Sequence, residues 1–162
     1  IEIINISNTI AADLSTGEWS INIGTKSVAL KEDGKSLEPG KILLIYYGNG
    51  DAVTNLNDSI TKLSNEGGFE TPLLISKTLS ITNSSNYAIS LKKAEVTKDQ
   101  ISADLKPKSG FSHERINPGC EGTKSNSWAL APNDSELVSN DPAKKNYGSP
   151  GVKNRSFDGS CP

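Results

Sequence analysis

The sequence predicts an all-β protein whose short strands form an antiparallel sandwich or barrel. Three observations predict this class: apolar residues recur with a period of two, helical periodicity is nearly absent, and Gly- or Asn-rich turns separate the apolar runs. The alternation is typical of strands with one face on a core, because successive side chains point to opposite faces. With 162 residues, the chain fits one domain with a substantial core.

Four runs of the sequence carry the strand pattern. One of them, Ile42–Tyr47, is apolar on both faces, which predicts a central strand of a packed sandwich. The other three alternate apolar and polar residues and are centred on Ile21, Ile89 and Ala103. Between Asp58 and Asn65, the spacing of Ile60 and Leu63 predicts a short helical turn. Turns are predicted at Asp33-Gly34, Pro39-Gly40, Gly48-Asn49-Gly50, Gly67-Gly68, Asn83–Asn86 and Lys108–Gly110.

The charge balance argues against a nucleic-acid partner, and the short apolar runs argue against a membrane-spanning helix. Seventeen basic and nineteen acidic residues leave a formal net charge of −2. We therefore expect no nucleic-acid partner, since phosphate binding needs a concentrated basic face. No apolar run approaches the ~20 residues that a membrane-spanning helix needs. The chain begins at Ile1 and contains no Met, which we interpret as a processed mature form or an excised domain.

The last third of the chain carries the most specific motif. Ser112-His113-Glu114-Arg115-Ile116 precedes Ser127-Trp128-Ala129-Leu130 and then Gly148-Ser149-Pro150-Gly151, closing on Asn154. This order resembles the closing strands of the lamin-tail domain, an immunoglobulin-like β-sandwich of nuclear lamins and of many secreted bacterial and archaeal proteins. The resemblance implies that residues 1–154 form one immunoglobulin-like antiparallel β-sandwich. Residues 155–162 would then be a C-terminal tail.

Weaker matches extend the resemblance over nearly the whole chain: Ile1–Asn5, Asp13–Trp19, Leu37–Tyr47 and Leu79–Leu91. Within the motif, Trp19 and Trp128 are expected to fill the core between the sheets, since an indole buries a large apolar area. Arg115 is expected to pair with a carboxylate or strand carbonyls through its planar fork. Pro150 and Gly151 suit a tight turn. We interpret the whole set as architectural: Trp19, Glu114, Arg115, Trp128, Pro150, Gly151 and Asn154.

The resemblance leaves a gap at the first strand. Family members carry a strand before the one that Ile1–Asn5 matches, and the sequence offers no counterpart. A shorter domain, an excised piece or a replacement strand elsewhere would account for this. The alternative is that a neighbouring subunit donates the strand, because unpaired backbone groups at a sheet edge accept a strand from another chain. The segment that would exchange carries Ile1, Ile3, Ile4 and Ile6.

The two cysteines, Cys120 and Cys161, both lie in Gly- and Pro-rich loop sequence. Neither lies on an apolar face, so a disulfide fits better than two buried free thiols. The bridge would tether the C-terminal tail and close a loop of about 40 residues, which contributes about 4 kcal/mol in the chain-entropy account. A disulfide implies an oxidising compartment.

Surface composition points in the same direction. The chain has 22 Ser, 15 Asn and 10 Thr, a composition typical of secreted β-proteins. Five glycosylation sequons begin at Asn5, Asn57, Asn83, Asn133 and Asn154. At this Ser and Thr content, roughly three sequons arise by chance, so they permit glycosylation without demonstrating it. We expect an extracellular or cell-surface location.

Catalysis and metal binding have little support in the sequence. His113 is the single histidine, and its neighbours Ser112 and Glu114 point to the opposite face of a strand, so no triad is predicted. One His and two distant Cys do not make a zinc site. Oxygen donors in Gly48–Asp51 and Asn55–Asp58 would suit Ca²⁺, but Asx-rich turns occur without metal. No cofactor is predicted, and we expect no enzyme.

Two functional hypotheses follow. The first is a non-catalytic secreted or cell-surface interaction and adhesion module of lamin-tail type, acting through loops or a sheet face on protein partners. The second is a structural subunit of an extracellular filament or assembly, in which copies of the chain join by strand complementation. The same sandwich hosts unrelated functions, so the ligand itself is not predicted.

Overall fold

The alternating runs fold into strands in the computed structural model, which describes residues 1–31, 34–47, 73–76, 88–101, 104–106, 108–133, 147–148 and 159–162. Of residues 46, 47 and 73–76, the backbone alone is described. Over these ranges the protein is all-β, and its one helical turn is the 3-10 turn Ser125–Ser127. The strands are β1 (Glu2–Ile4), β2 (Ala12–Asp13), β3 (Trp19–Ile23), β4 (Lys26–Ala29), β5 (Ser36–Leu37), β6 (Ile42–Tyr47), β7 (Leu73–Ser76), β8 (Ile89–Lys93), β9 (Val96–Gln100), β10 (His113–Arg115) and β11 (Trp128–Leu130).

A four-stranded antiparallel sheet has the order β4-β3-β8-β9. Its central pair aligns Ile21 with Leu91 and Ile23 with Ile89. Ile21 and Ile23 are 1% and 4% exposed, whereas Ser20 and Asn22 point to the other face of the pleat. The period of two in the sequence therefore selects which face of β3 is buried.

A three-stranded sheet has the order β1-β6-β7. Ile42–Tyr47 lies at its centre, as its apolar character on both faces predicts. β1 runs antiparallel to β6, pairing Ile3 with Leu43. β7 runs parallel to β6, pairing Leu44 with Leu73. This parallel pair departs from the purely antiparallel sheet that the sequence predicts, and it needs a crossover connection in place of a hairpin.

The two sheets share one hydrophobic core, an arrangement consistent with a β-sandwich. Ile21 and Ile23 of the four-stranded sheet belong to the same buried cluster as Leu43 and Ile45 of the three-stranded sheet. Buried apolar area of this kind stabilises the fold by roughly 25 cal/mol per Å². Leu14, Leu30 and Leu37 complete the cluster.

Two short ribbons, β2–β5 and β10–β11, complete the described sheet structure. β2 ends in a side-chain turn, because the Ser15 hydroxyl and amide both donate to Asp13 Oδ1, at 2.6 and 2.8 Å. These two hydrogen bonds lower the pKa of Asp13 below its ordinary value, and the one from the Ser15 hydroxyl has the larger effect. The turn leads the chain into Leu14, which is 3% exposed and lies in the core.

The structure corrects one strand prediction. The run centred on Ala103 is not a strand at its described residues, Ile101 and 104–106. The strand lies just before it, at Val96–Gln100. Several predictions fall outside the described residues: the helical turn at Asp58–Asn65, the Asn-rich loops considered for Ca²⁺ (Gly48–Asp51 and Asn55–Asp58), the Pro150-Gly151 turn with Asn154, and the sequons at Asn57 and Asn83. No helix in the described part of the chain has the length and apolar character to cross a membrane.

Candidate functional site

Arg115 joins the β10–β11 ribbon to the edge of the four-stranded sheet. Its Nη1 lies 2.8 Å from Asp99 Oδ2, and its Nη2 donates to Asp99 Oδ1 at 2.9 Å. The side chain of Arg115 is 14% exposed and that of Asp99 is 43% exposed. A planar guanidinium and a carboxylate form this two-bond geometry readily, so the pair orients the ribbon as well as attracting it.

The Arg115 guanidinium also contacts the ring of Trp128. The Arg115 Cζ is 4.7 Å from the centre of the Trp128 ring, within the range of a cation–π contact. The indole Nε1 donates to the Gly122 carbonyl at 2.8 Å. Trp128 is therefore half-buried in the ribbon and is absent from the main core cluster. This corrects the prediction that Trp128 fills the core between the sheets, and the reason is that β11 pairs with β10.

The space around Gly122 leaves no room for the Cβ atom of any other residue type. A Cβ built on Gly122 would collide with Arg115 Nη2 and the Gln100 carbonyl, and would lie 2.8 Å from Asp99 Oδ1. Its backbone is therefore wedged beside the ion pair while its carbonyl holds Trp128. We name Asp99, Arg115, Gly122 and Trp128 the arginine clasp.

Glu114 and Trp19 take other positions in the fold. Glu114 is 4% exposed and faces Ala129 across the ribbon. Trp19 packs against the main core from β3, and Lys93 Nζ lies 5.6 Å from its ring centre. Glu114 is thus buried within the ribbon, and Trp19 is half-buried beside the core cluster. Their surroundings in the described residues show no group of three metal-ligating side chains.

A disulfide joins Cys120 to Cys161, the pair that the sequence predicts. Cys120 is 5% exposed, whereas Cys161 and the whole segment 159–162 are exposed. Asn117 Nδ2 supports the link by donating to the Gly159 carbonyl at 2.9 Å. The segment 159–162 is therefore held to the 117–120 loop next to the arginine clasp.

The histidine and its neighbouring serine bond to separate backbone carbonyls. His113 Nε2 lies 3.0 Å from the Lys106 carbonyl. The Ser112 hydroxyl donates to the Tyr147 carbonyl at 3.1 Å. A serine nucleophile would need its hydroxyl bonded to the imidazole, and neither group is arranged in that way.

The predicted exchange segment has two faces. Ile1 and Ile3 pack against the core cluster, whereas Ile4 and Ile6 are 38% and 64% exposed, and Ile10 beyond them is 72% exposed. Ile4 and Ile6 line a shallow groove of about 330 Å³ with Pro39 and Pro118. We name Ile4, Ile6 and Ile10 the isoleucine patch.

Asn5 and Asn133, the two sequon asparagines that the structure describes, differ in how accessible their side chains are to a glycan. The Asn5 Nδ2 donates to both the Ile10 and Leu37 carbonyls, and its Oδ1 accepts from the Ser7 amide. A glycan on Nδ2 would replace one of those donor hydrogens. Asn133, in contrast, is exposed in a turn.

Sequence reasoning missed two members of the arginine clasp, Asp99 and Gly122. Asp99 lies in a strand with little apolar character, Val-Thr-Lys-Asp-Gln, which gave no alternation signal. Gly122 resembles any loop glycine in the sequence, and only the packing of Arg115 against it shows its role. The sequence predicts that Arg115 pairs with a carboxylate or with strand carbonyls, but it does not show which group is the partner.

Comparisons with protein-family models, with curated proteins and with solved structures found no match to this chain.

Proposed function

We propose that the chain is a non-catalytic interaction and adhesion module, secreted or displayed at the cell surface, with the immunoglobulin-like β-sandwich of the lamin-tail type. Support for the sandwich comes from two sheets around one core. Support for the compartment comes from the disulfide, which persists in oxidising environments. The order of the motif residues supports the family.

The observation that carries the interaction role is the isoleucine patch. Single exposed apolar residues are ordinary on protein surfaces, but a cluster beside a groove indicates a contact site. Apolar side chains (Ile4, Ile6, Pro39 and Pro118) line the groove together with Asn5, Ser7, Asn8 and Gly40. Protein–protein interfaces combine apolar and polar residues in this way.

The location is tested on cells that produce the protein. A membrane-impermeant amine reagent applied to intact cells or their culture fluid should label the chain. Labelling only after lysis would contradict the proposed location. Reverse-phase separation with and without reductant, after blocking free thiols, should show Cys120 and Cys161 already linked in the native material.

The contact role is tested on the isoleucine patch. Ile6→Lys combined with Ile10→Lys should leave the free energy of unfolding within about 0.5 kcal/mol of wild type, because both side chains are mostly exposed. The double variant should lose retention of the protein on the surface of the producing cells. Val96→Lys is the matched control, since Val96 is 57% exposed on β9 and lies outside the patch. Equal retention of all three proteins would overturn the role of the patch.

A second candidate function is a filament or assembly subunit that joins copies of the chain by strand complementation. It is favoured by the position of β1, which in the described part of the chain is the end strand of the three-stranded sheet, next to the exposed Ile4 and Ile6. Sedimentation and electron micrographs of native material decide this. Large or filamentous species that Ile6→Lys disperses would support assembly, whereas a monomer at every concentration would exclude it.

A further inference from the structure

The two halves of the disulfide differ in access to solvent. Cys120 is 5% exposed, in a loop whose turn is closed by the Cys120 amide donating to the Asn117 carbonyl at 3.0 Å. Cys161 is exposed, as are the residues on either side of it. An incoming thiolate must approach a sulfur directly, so access selects which of the two sulfurs is attacked.

Asn117 helps to hold the segment that carries Cys161, residues 159–162, in place. In the described residues, the Asn117 Nδ2 donates to the Gly159 carbonyl, and Cys120 Sγ lies 3.8 Å from the Ser160 carbonyl. The same Asn117 accepts the Gly119 amide on its Oδ1, at 2.8 Å. Asn117 therefore links the segment to the loop alongside the disulfide.

The buried cysteine, Cys120, in contrast adjoins a well-packed region. Cys120 precedes Gly122 by two residues, and Gly122 holds Trp128 and abuts Arg115. The main core cluster lies elsewhere, on the two sheets. Opening the disulfide should thus free segment 159–162 and loosen the 117–124 loop while the two sheets stay folded.

We propose that the disulfide is a redox-operated latch and that Cys161 is its site of thiol–disulfide exchange, with a small or peptidyl thiol as co-reactant. The thiolate attacks Cys161 Sγ, a new S–S bond forms there, and the Cys120–Cys161 bond breaks. Its electron pair leaves on Cys120 Sγ, which takes a proton from solvent. A second thiolate then attacks the mixed disulfide and releases Cys161, so that two thiols are oxidised to one disulfide and the latch is reduced. The proposal does not depend on the proposed function.

Reduced glutathione tests the site directly on the oxidised wild-type chain. Partial reaction in native buffer, quenched with an alkylating reagent and mapped by mass spectrometry, should give glutathione on Cys161 in at least about tenfold excess over Cys120. The same reaction in concentrated urea, where both sulfurs are open, should give the two adducts within about twofold of each other. Equal adducts in native buffer, or an excess on Cys120, would overturn the proposal.

Asn117→Ala provides the second test, with Asn126→Ala as its control. Loss of the bond to Gly159 should raise the native-state rate of exchange at Cys161 about fivefold, since one such hydrogen bond contributes less than a factor of ten to an equilibrium. Asn126 is exposed on the 3-10 turn, so its substitution should leave the rate unchanged. After reduction, amide hydrogen exchange should speed up in 117–124 while β3 and β8 keep their protection. Loss of protection throughout the chain would show that the disulfide supports the whole fold and is no latch.

Discussion

Gly122 shows how one residue can set the geometry of a whole region. The absence of a side chain lets the backbone approach Arg115, Asp99 and the Gln100 carbonyl together. The close approach brings the Gly122 carbonyl to Trp128 Nε1. Packing at this density leaves no room for even one methyl group. The region's stability therefore depends on a position that contributes no side-chain contact of its own.

Gly122→Ala should lower the free energy of unfolding by about 3 kcal/mol, because the added methyl must displace the ion pair or the Gln100 backbone. Gly119→Ala is the matched control in the same loop. Among the described residues, a Cβ there meets Asn117 Oδ1 alone, at 3.3 Å, and the cost should stay below about 1 kcal/mol. Urea unfolding followed by Trp fluorescence measures both. Similar losses in the two variants would contradict the clasp geometry.

At the scale of elements, the turn of the β8–β9 hairpin is where residue type and backbone conformation are most clearly mismatched. Lys93 pairs with Val96, so Ala94 and Glu95 form a two-residue turn, and both have positive φ, 45° and 68°. Two-residue hairpins favour such turns because their twist matches the strands, but Asn and Gly adopt them most easily. The exposed Lys92–Glu95 ion pair, at 3.8 Å with Glu95 95% exposed, offsets little of this strain.

Ala94→Asn combined with Glu95→Gly should raise the free energy of unfolding by about 1 to 2 kcal/mol, because both residues then accept positive φ without strain. Lys98→Gly, in the middle of exposed β9, should instead lower it by about 0.5 to 1 kcal/mol. Thermal unfolding of the three proteins gives the comparison. A stabilisation by Lys98→Gly, or none by the turn variant, would show that turn strain is not what limits the hairpin.

The same hairpin marks how far the sequence predicts the fold. Alternation places strands at Trp19–Ile23 and Ile89–Lys93, and an apolar run places one at Ile42–Tyr47, where a face of each strand packs on the core. β9 has no such face: Val96, Thr97 and Lys98 are all exposed, so its pairing is fixed by the turn and by backbone bonds to β8. The apolar alternation one step further on, through Ala103, misled the prediction for that reason. The apolar pattern of a strand shows which side chains share a face but not the direction in which its neighbour runs. The parallel β6–β7 pair therefore could not be predicted from it.

At the scale of the whole molecule, the shared core makes the two sheets one unit of stability. Ile21 and Leu43, from different sheets, are each 1% exposed and lie in one cluster. Deleting buried methyl groups leaves a cavity that the surrounding structure fills incompletely. A change in one sheet should therefore be felt in the other.

Leu43→Ala, made in a Trp128→Phe background so that Trp19 is the only indole, should lower the free energy of unfolding by about 3 kcal/mol. Trp19 lies on the four-stranded sheet and Leu43 on the three-stranded sheet, so the shift would report their coupling. Leu130→Ala, at a residue that is 36% exposed on β11, should cost less than about 1 kcal/mol. An unchanged Trp19 transition in the Leu43 variant would mean that the sheets unfold independently.

The candidate site was predictable in part, and the limit is physical. A strand arginine indicates a carboxylate or carbonyl partner, and two loop cysteines indicate a disulfide, because each side chain favours a specific kind of contact. Asp99 and Gly122 come to Arg115 only through the register of β9 and the path of the 117–124 loop. Neither is a local property of the sequence. The isoleucine patch was likewise visible as apolar residues, but its exposure was not.

The parallel pairing of β6 with β7 has a consequence for how quickly the chain reaches its native state. Tyr47 and Leu73 end and begin two strands that lie side by side. Closing the long connection between them costs chain entropy before the contacts between the strands can form. β1 and β6 are also far apart in sequence, with Ile3 beside Leu43. Domains dominated by such non-local contacts fold in milliseconds to seconds, far more slowly than helical ones. During that interval Ile4, Ile6 and the strand edges are open to other chains, so association between unfolded copies competes with folding.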